Sequence, residues 1–92
     1  MRELYWETAD ELDLAIAERL RKLRKRKGWT QAELAVQSGV SLGSVKRFEN
    51  SGLISLLSLT KLAMALGCEG ELKALFTAIP YSSIEEVIRE NR

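Results

Sequence analysis

The 92-residue sequence predicts an all-α fold of five helices, followed by a short additional helix at the C-terminal end. Three observations predict this class. Apolar residues recur at spacings of three and four, serine or threonine precedes these runs, and glycine follows most of them. One core suits a chain of this length, so we expect one domain over residues 1–80 and a tail over residues 81–92.

The first helix is expected to cover about 19 residues and to end near Gly28. Thr8 and Glu11 have the spacing of a capping box, in which each side chain accepts a hydrogen bond from the other residue's backbone amide. The apolar positions at helical spacing are Leu12, Ile16, Leu20 and Leu23.

The second helix should begin at about Gln31, because Thr30 and Glu33 form another capping box. Gly39 should end it, since glycine enters the left-handed region without steric cost. Small Ala35 lets another helix cross close to the backbone.

Ser41 can cap a third helix, in which Val45 and Phe48 lie one turn apart on the apolar side. Residues 31–50 therefore describe two short helices packed across a tight turn, which is a helix-turn-helix. Small, polar and basic residues on the outer side of a second helix suit the DNA major groove. These outward positions are Leu42, Gly43, Ser44, Lys46 and Arg47.

The fourth helix is expected to follow a cap at Ser55 or Ser58 and to end at Gly67. Its apolar positions are Leu59, Leu62, Ala63 and Leu66. A fifth helix is predicted over about residues 70–78, before Pro80. In the tail, Ser83 and Glu86 have capping-box spacing, which predicts the short additional helix.

The wording TQAELAVQSGVS resembles the helix-turn-helix of the lambda repressor and Cro type, also called the xenobiotic-response-element family. The resemblance runs from about Arg19 to Phe76. It implies a five-helix lambda-repressor-like domain. It also implies a sequence-specific repressor that binds a palindromic operator in double-stranded DNA as a homodimer.

The resemblance also implies roles for single residues. Gln31 maps onto a position that contacts a phosphate and braces the recognition helix, and the outward residues of that helix map onto base-facing positions. Arg47 is expected to read a base by hydrogen bonds. Arg24 and Glu49 map onto an ion pair between two helices, although two separate surface charges are the alternative.

The sequence departs from this family at the reading face, where relatives often carry an amide and this chain has Leu42 and Gly43. Leucine can contact only an apolar group such as a thymine methyl, or it can pack between helices instead. Glycine adds no contact and lowers helix propensity. Specificity is therefore expected to depend on Ser44, Lys46 and Arg47, or on DNA shape.

The net charge is only +1, but charge is segregated along the chain. Residues 1–18 carry one cation and six anions, whereas residues 19–29 carry seven cations and no anion. This order complements the helix macrodipole, which is one explanation. Seven cations exceed what one helix end needs, so phosphate contact is the preferred explanation for some of them. The candidates for phosphate contact are Arg21, Arg24, Lys25, Gln31, Ser41 and Asn50.

The stretch KRFENSGLISLLSLTKLAMALGC resembles HipB-like antitoxins, which repress their own operon and bind a HipA-type kinase toxin. This resemblance implies a kinase partner. Apolar residues near both ends could contact that partner or the second subunit, or could fold back on their own domain. These dimer or partner candidates are Tyr5, Trp6, Leu72, Leu75, Phe76, Ile79, Ile84, Val87 and Ile88.

The composition argues against an enzyme, since the chain has no histidine, one cysteine and no glycine-rich phosphate loop. We expect no cofactor and no metal. No stretch is apolar enough for a signal peptide or a membrane span, so a cytoplasmic location is expected. The alternative function is a helix-turn-helix fold used mainly as a protein-interaction module, with weak or absent DNA binding.

Overall fold

The computed structural model describes residues 7–78 and 88–91. Five α-helices occur in the first of these ranges: α1 (Ala9–Arg26), α2 (Gln31–Ser38), α3 (Leu42–Ser51), α4 (Leu56–Leu66) and α5 (Glu69–Lys73). Residues 88–90 form a further helical turn. No strand occurs in the part of the chain described, and the predicted all-α class is confirmed. Tyr5, Trp6, Ile79, Ile84 and Val87, like the expected domain boundary at residue 80, lie outside the described residues.

Both predicted capping boxes are present. Thr8 Oγ1 accepts a hydrogen bond from the Glu11 amide at 3.1 Å, and the Glu11 carboxylate accepts one from the Thr8 amide at 2.9 Å. The corresponding distances for Thr30 and Glu33 are 3.0 and 2.8 Å. Each box satisfies two amides that a helix start leaves without a partner, so the beginnings of α1 and α2 are fixed locally.

A single apolar cluster joins the helices. α1 packs against α3, and α2 packs against both α3 and α4. Phe48 of α3, Leu34 of α2 and Leu62 of α4 are the largest side chains fully enclosed by it. The buried members are Ala17, Leu34, Val40, Val45, Phe48, Leu62 and Leu66. Helix α3 is therefore held against the core through Val45 and Phe48.

Glycine allows α3 to end close against α1. Gly52 has a φ of +80°, which a residue with a side chain adopts only with strain. A Cβ atom at this position would lie 2.8 Å from the backbone carbon of Asp13. The close approach of the two backbones thus requires glycine at position 52.

Two details of the second half differ from or refine the predictions. Ser55, and not Ser58, caps α4: its hydroxyl oxygen accepts a hydrogen bond from the Ser58 amide at 3.0 Å. The fifth helix was expected to reach residue 78, but α5 ends at Lys73. A turn follows over residues 74–76, where Phe76 has a left-handed φ of 63° that is incompatible with continuing the helix.

Candidate nucleic-acid interface

The outer side of α3 faces solvent. Val45 and Phe48 point into the core, whereas Lys46, Arg47 and Gly43 are exposed. Gly43 and Arg47 are four residues apart and therefore share one face of the helix, and Asn50 follows on the same face. The face combines two cations with an amide and no acidic side chain, which suits an approach to DNA.

Leu42 begins α3 with 38% of its surface exposed. The side chain is therefore partly covered by the domain and partly open to solvent. An apolar side chain at this edge can contact the methyl group of thymine.

Ser44 is half-buried and belongs to the cap of α3. Its amide donates to Ser41 Oγ at 3.1 Å, and the Ser41 hydroxyl donates to Ser44 Oγ at 2.9 Å. Ser44 therefore has one hydroxyl proton left to donate outward. Ser41 itself is exposed at the helix start, where its position would suit phosphate.

An open groove of about 340 Å³ runs beside Arg47, between α3 and the start of α4. Its polar lining includes the hydroxyl groups of Ser55 and Ser58 as well as that of Ser44. The groove is thus lined by Arg47 together with residues from the N-terminal end of α4, where partial positive charge favours anions. Sequence reasoning missed Ser55 and Ser58 at this surface, because no local pattern indicates that the α3–α4 loop folds back toward Arg47.

A buried polar network ties α3 to the two preceding helices. Arg24 Nε donates to Glu49 Oε2 at 2.8 Å, and Arg24 Nη2 donates to Glu49 Oε1 at 2.9 Å. Arg24 Nη1 donates to the backbone carbonyl of Trp29 at 2.8 Å, and the Gln31 side-chain amide donates to Glu49 Oε1 at 2.9 Å. The arrangement matches the expected ion pair and the expected bracing role of Gln31.

The surroundings of Arg24 do not favour the phosphate contact expected of it. The side chain of Arg24 is only 9% exposed, and all three of its guanidinium nitrogens donate within the network. Burial and the fork geometry direct this guanidinium at Glu49 instead of at solvent. Arg24 is therefore a structural residue.

The charge state of Glu49 follows from its partners. Burial opposes the ionised form, but the hydrogen bonds from Arg24 and Gln31 favour it, as do the positive charges of Arg24 and Arg21. Their combined effect lowers the pKa of Glu49 below its ordinary value. Glu49 is thus ionised near neutral pH, and the bidentate pair with Arg24 is fully formed.

The remaining basic residues of α1 differ in their environment. Arg21 lies 3.4 Å from the Glu18 carboxylate in an exposed pair, and Lys25, one turn further, is exposed. The ammonium group of Lys27 lies 5.0 Å from the centre of the Trp29 ring. Arg21 and Lys25 share one side of α1 and stay available for phosphate, although Arg21 would have to leave Glu18.

The candidate dimer residues after α4 are only partly enclosed. Leu72 is half-buried, Leu75 and Ile88 are about half exposed, and Phe76 is 84% exposed. An exposed phenylalanine in a strained left-handed conformation does not complete the core of its own domain. Phe76 is therefore exposed at the surface of the part of the chain that the structure describes.

The described residues give little support to metal binding, to a reactive thiol or to a membrane-spanning helix. No group of three or more histidine, cysteine or carboxylate side chains there could hold a metal ion. Burial raises the pKa of the Cys68 thiol, and the nearby charges of Glu71 and Glu69 raise it further, so this thiol is protonated near neutral pH and is a poor nucleophile. No helix in the described ranges is long and apolar enough to cross a membrane.

Comparison with known proteins agrees with this geometry. A protein-family model described as helix-turn-helix matches residues 20–72, which is more than half of the chain. The match begins in the second half of α1 and includes the whole of α2, α3 and α4. Searches of curated proteins and of solved structures gave no significant match.

Proposed function

This chain belongs to the lambda repressor/Cro-type helix-turn-helix family of DNA-binding transcription regulators, and we propose that it acts as a dimeric repressor on a palindromic operator. One observation carries the proposal: α3 presents an exposed basic face while the buried Arg24–Glu49 pair and Gln31 hold the helix from behind. A reading helix needs this combination, because its outer side chains must be free and its axis must be fixed.

We assign base-facing roles to the outward residues of α3. Arg47 has the donor geometry for guanine, and Leu42 offers an apolar contact for a thymine methyl. Lys46 and Ser44 supply further donors beside them. The base-facing set is Leu42, Gly43, Ser44, Lys46 and Arg47.

The phosphate contacts lie around this face in the same proposal. The start of α2 offers amides together with the Gln31 side chain, and the start of α3 offers Ser41. Arg21 and Lys25 extend the positive surface along α1. The phosphate-contacting set, now without Arg24, is Arg21, Lys25, Gln31, Ser41 and Asn50.

A homodimer completes the repressor, with the surface around Leu75 and Phe76 as its contact. Two-fold symmetry would place two recognition helices in successive major grooves, about 34 Å apart. The domain over residues 1–80 would thus bind DNA and supply the dimer contact, and the tail over residues 81–92 would be open to a further partner in the cytoplasm.

The further partner in this proposal is a HipA-type kinase toxin, for which the chain would serve as antitoxin and autorepressor. The resemblance of residues 46–68 to HipB-like antitoxins supports this role. The second candidate function, a protein-interaction module with weak DNA binding, is favoured by exposed apolar side chains such as Leu56, Leu57 and Phe76.

Titration against the DNA upstream of the chain's own gene tests the repressor proposal. We expect tight binding with at least a hundredfold preference over random duplex, and an affinity that falls steeply with salt. Equal affinity for both duplexes at every salt concentration would exclude the repressor and favour the interaction module.

Co-expression with a kinase-like neighbouring gene tests the partner proposal separately. We expect the kinase to co-purify with the full chain and to be lost when the chain is truncated after Pro80. Co-purification that survives the truncation would remove the tail from the partner surface. Failure of the full chain to retain the kinase would refute the antitoxin role.

A further inference from the structure

Four of the six glycines have an evident role in the backbone. Positions 28, 39, 52 and 67 have positive φ angles, which favour glycine at helix ends and turns. Gly43 and Gly70 have no positive φ and lie inside helices. A Cβ atom at either position would meet nothing within 4 Å. The fold itself therefore does not require glycine at position 43, where alanine would make a better helix.

Gly43 lies at the middle of the outward face, and its neighbours there have short reach. Leu42 and Ser44, on either side of it, extend only two bonds and one bond beyond Cβ, respectively. Side chains of this length reach the edges of bases only if the helix backbone comes close to them. Arg47, one turn further along the same face, is the long side chain of the set.

The width of the DNA major groove makes the interface sensitive to side-chain size at position 43. An α-helix with its side chains is about 10 to 12 Å across, and the major groove is about 12 Å wide. A methyl group in the middle of the inserted face would project roughly 1.5 Å further toward the bases. In a docking close enough for Leu42 and Ser44 to reach the bases, an added side chain at position 43 would occupy the space between the α3 backbone and the base edges.

We propose that Gly43 is a positioning residue of the DNA interface, whose missing side chain lets the backbone of α3 approach the bases so that Leu42 and Ser44 reach them. This inference rests on the proposed DNA-binding function. It predicts that a side chain at position 43 raises the stability of the free protein but weakens its binding to DNA. The side chain favours the helix in the free protein, whereas the close contact with the bases leaves no room for it.

Gly43→Ala and Gly70→Ala form a matched pair for the test. Both substitutions place a methyl group in open space within a helix, but only the first lies on the proposed interface. The probe is a 30-base-pair duplex enriched from a random library by the wild-type chain, with a scrambled duplex as reference. We expect both variants to raise Tm by about 2 to 5 °C.

Gly43→Ala should weaken binding to the enriched duplex by about tenfold and leave binding to the scrambled duplex unchanged, whereas Gly70→Ala should change neither. Gly43→Gln, with a longer side chain, should lose more than Gly43→Ala. The inference is overturned if Gly43→Ala binds the enriched duplex as tightly as Gly70→Ala. If the wild-type chain enriches no sequence at all, the proposed function itself fails, and this inference fails with it.

Discussion

At the scale of single residues, one carboxylate determines how the recognition helix is held. Glu49 accepts three hydrogen bonds, two from Arg24 of α1 and one from Gln31 of α2. Its side chain is only 4% exposed, so water cannot replace a lost partner. Removing the charge of Glu49 leaves the Arg24 guanidinium buried without its counterion, which costs more than an exposed pair would.

We expect Glu49→Gln to lower the free energy of unfolding by about 2 to 4 kcal/mol, as measured by urea denaturation. Glu18→Gln is the matched control, because Glu18 pairs with Arg21 at the surface and should contribute less than about 0.5 kcal/mol. Equal effects of the two substitutions would contradict the structural role of Glu49.

The lowered pKa of Glu49 predicts how this contribution varies with pH. In the unfolded chain Glu49 binds a proton with the ordinary carboxyl pKa of 4.5, whereas in the folded chain it binds the proton only at lower pH. Stability from this group is therefore present above pH 4.5 and is lost as the pH falls through the folded pKa. The difference in unfolding free energy between wild type and Glu49→Gln should shrink over this range in urea titrations. A difference that stays constant from pH 7 down to strong acid would refute the assignment.

Arg47 is the residue at which base reading can be measured directly. Arg47→Ala should weaken binding to the preferred duplex by about 1 to 3 kcal/mol if the guanidinium reads a guanine. Binding to random duplex should change much less, so the selectivity should fall. An equal loss on both duplexes, measured in the same salt, would show that Arg47 contacts only phosphate.

At the scale of helices, local signals explain α1 to α4 but not the end of α5. Capping boxes at Thr8 and Thr30 lie within four residues of sequence, and so each helix start is readable without knowledge of the fold. The expected fifth helix ran too far because no glycine or capping residue marks its end before Pro80. The chain turns at Phe76 instead, in a conformation that its own side chain disfavours.

This strained turn predicts separate effects on folding and on dimer formation. Phe76→Gly should relieve about 1 kcal/mol of strain, so the folded monomer should be no less stable in denaturation at low protein concentration. The dissociation constant of the dimer, measured by sedimentation equilibrium, should rise at least tenfold because an exposed aromatic contact is lost.

Leu57→Ala is the control for the Phe76 substitution, since Leu57 is 65% exposed in the first turn of α4 and is not among the proposed dimer residues. This variant should dimerise like the wild type. An unchanged dimer in Phe76→Gly would remove the turn after α5 from the subunit contact.

At the scale of the whole molecule, the distribution of charge matters more than its sum of +1. The sequence patterns were sufficient for the fold class, the motif and the basic block. They could not assign a role to each cation. Arg24 is buried in a pair with Glu49, which is 25 residues away in sequence, whereas the neighbouring Lys25 is exposed. The groove beside Arg47 was missed for the same reason, since Ser55 reaches it only through tertiary packing.

The salt dependence of DNA binding should report which cations contact phosphate. Lys25→Ala should weaken binding to preferred and random duplexes alike, and should reduce the slope of log affinity against log salt by about 1 per subunit. Lys73→Ala, at the end of α5, provides a control of equal charge change and should leave the slope unchanged. If Lys25→Ala leaves this slope unchanged, the cations at the end of α1 are explained by their favourable interaction with the helix macrodipole and not by phosphate contact.

The separation between the two sides of α3 has a consequence for how such regulators diverge. The buried side, with Val45, Phe48 and Glu49, determines where the helix lies, while Leu42 and Arg47 on the other side leave the core untouched. After gene duplication, the outward residues of one copy could therefore be substituted, and that copy could bind a new DNA sequence without a loss of folding stability. The same division would allow DNA-binding proteins with different target sequences to be built on one scaffold by changing a small number of surface positions.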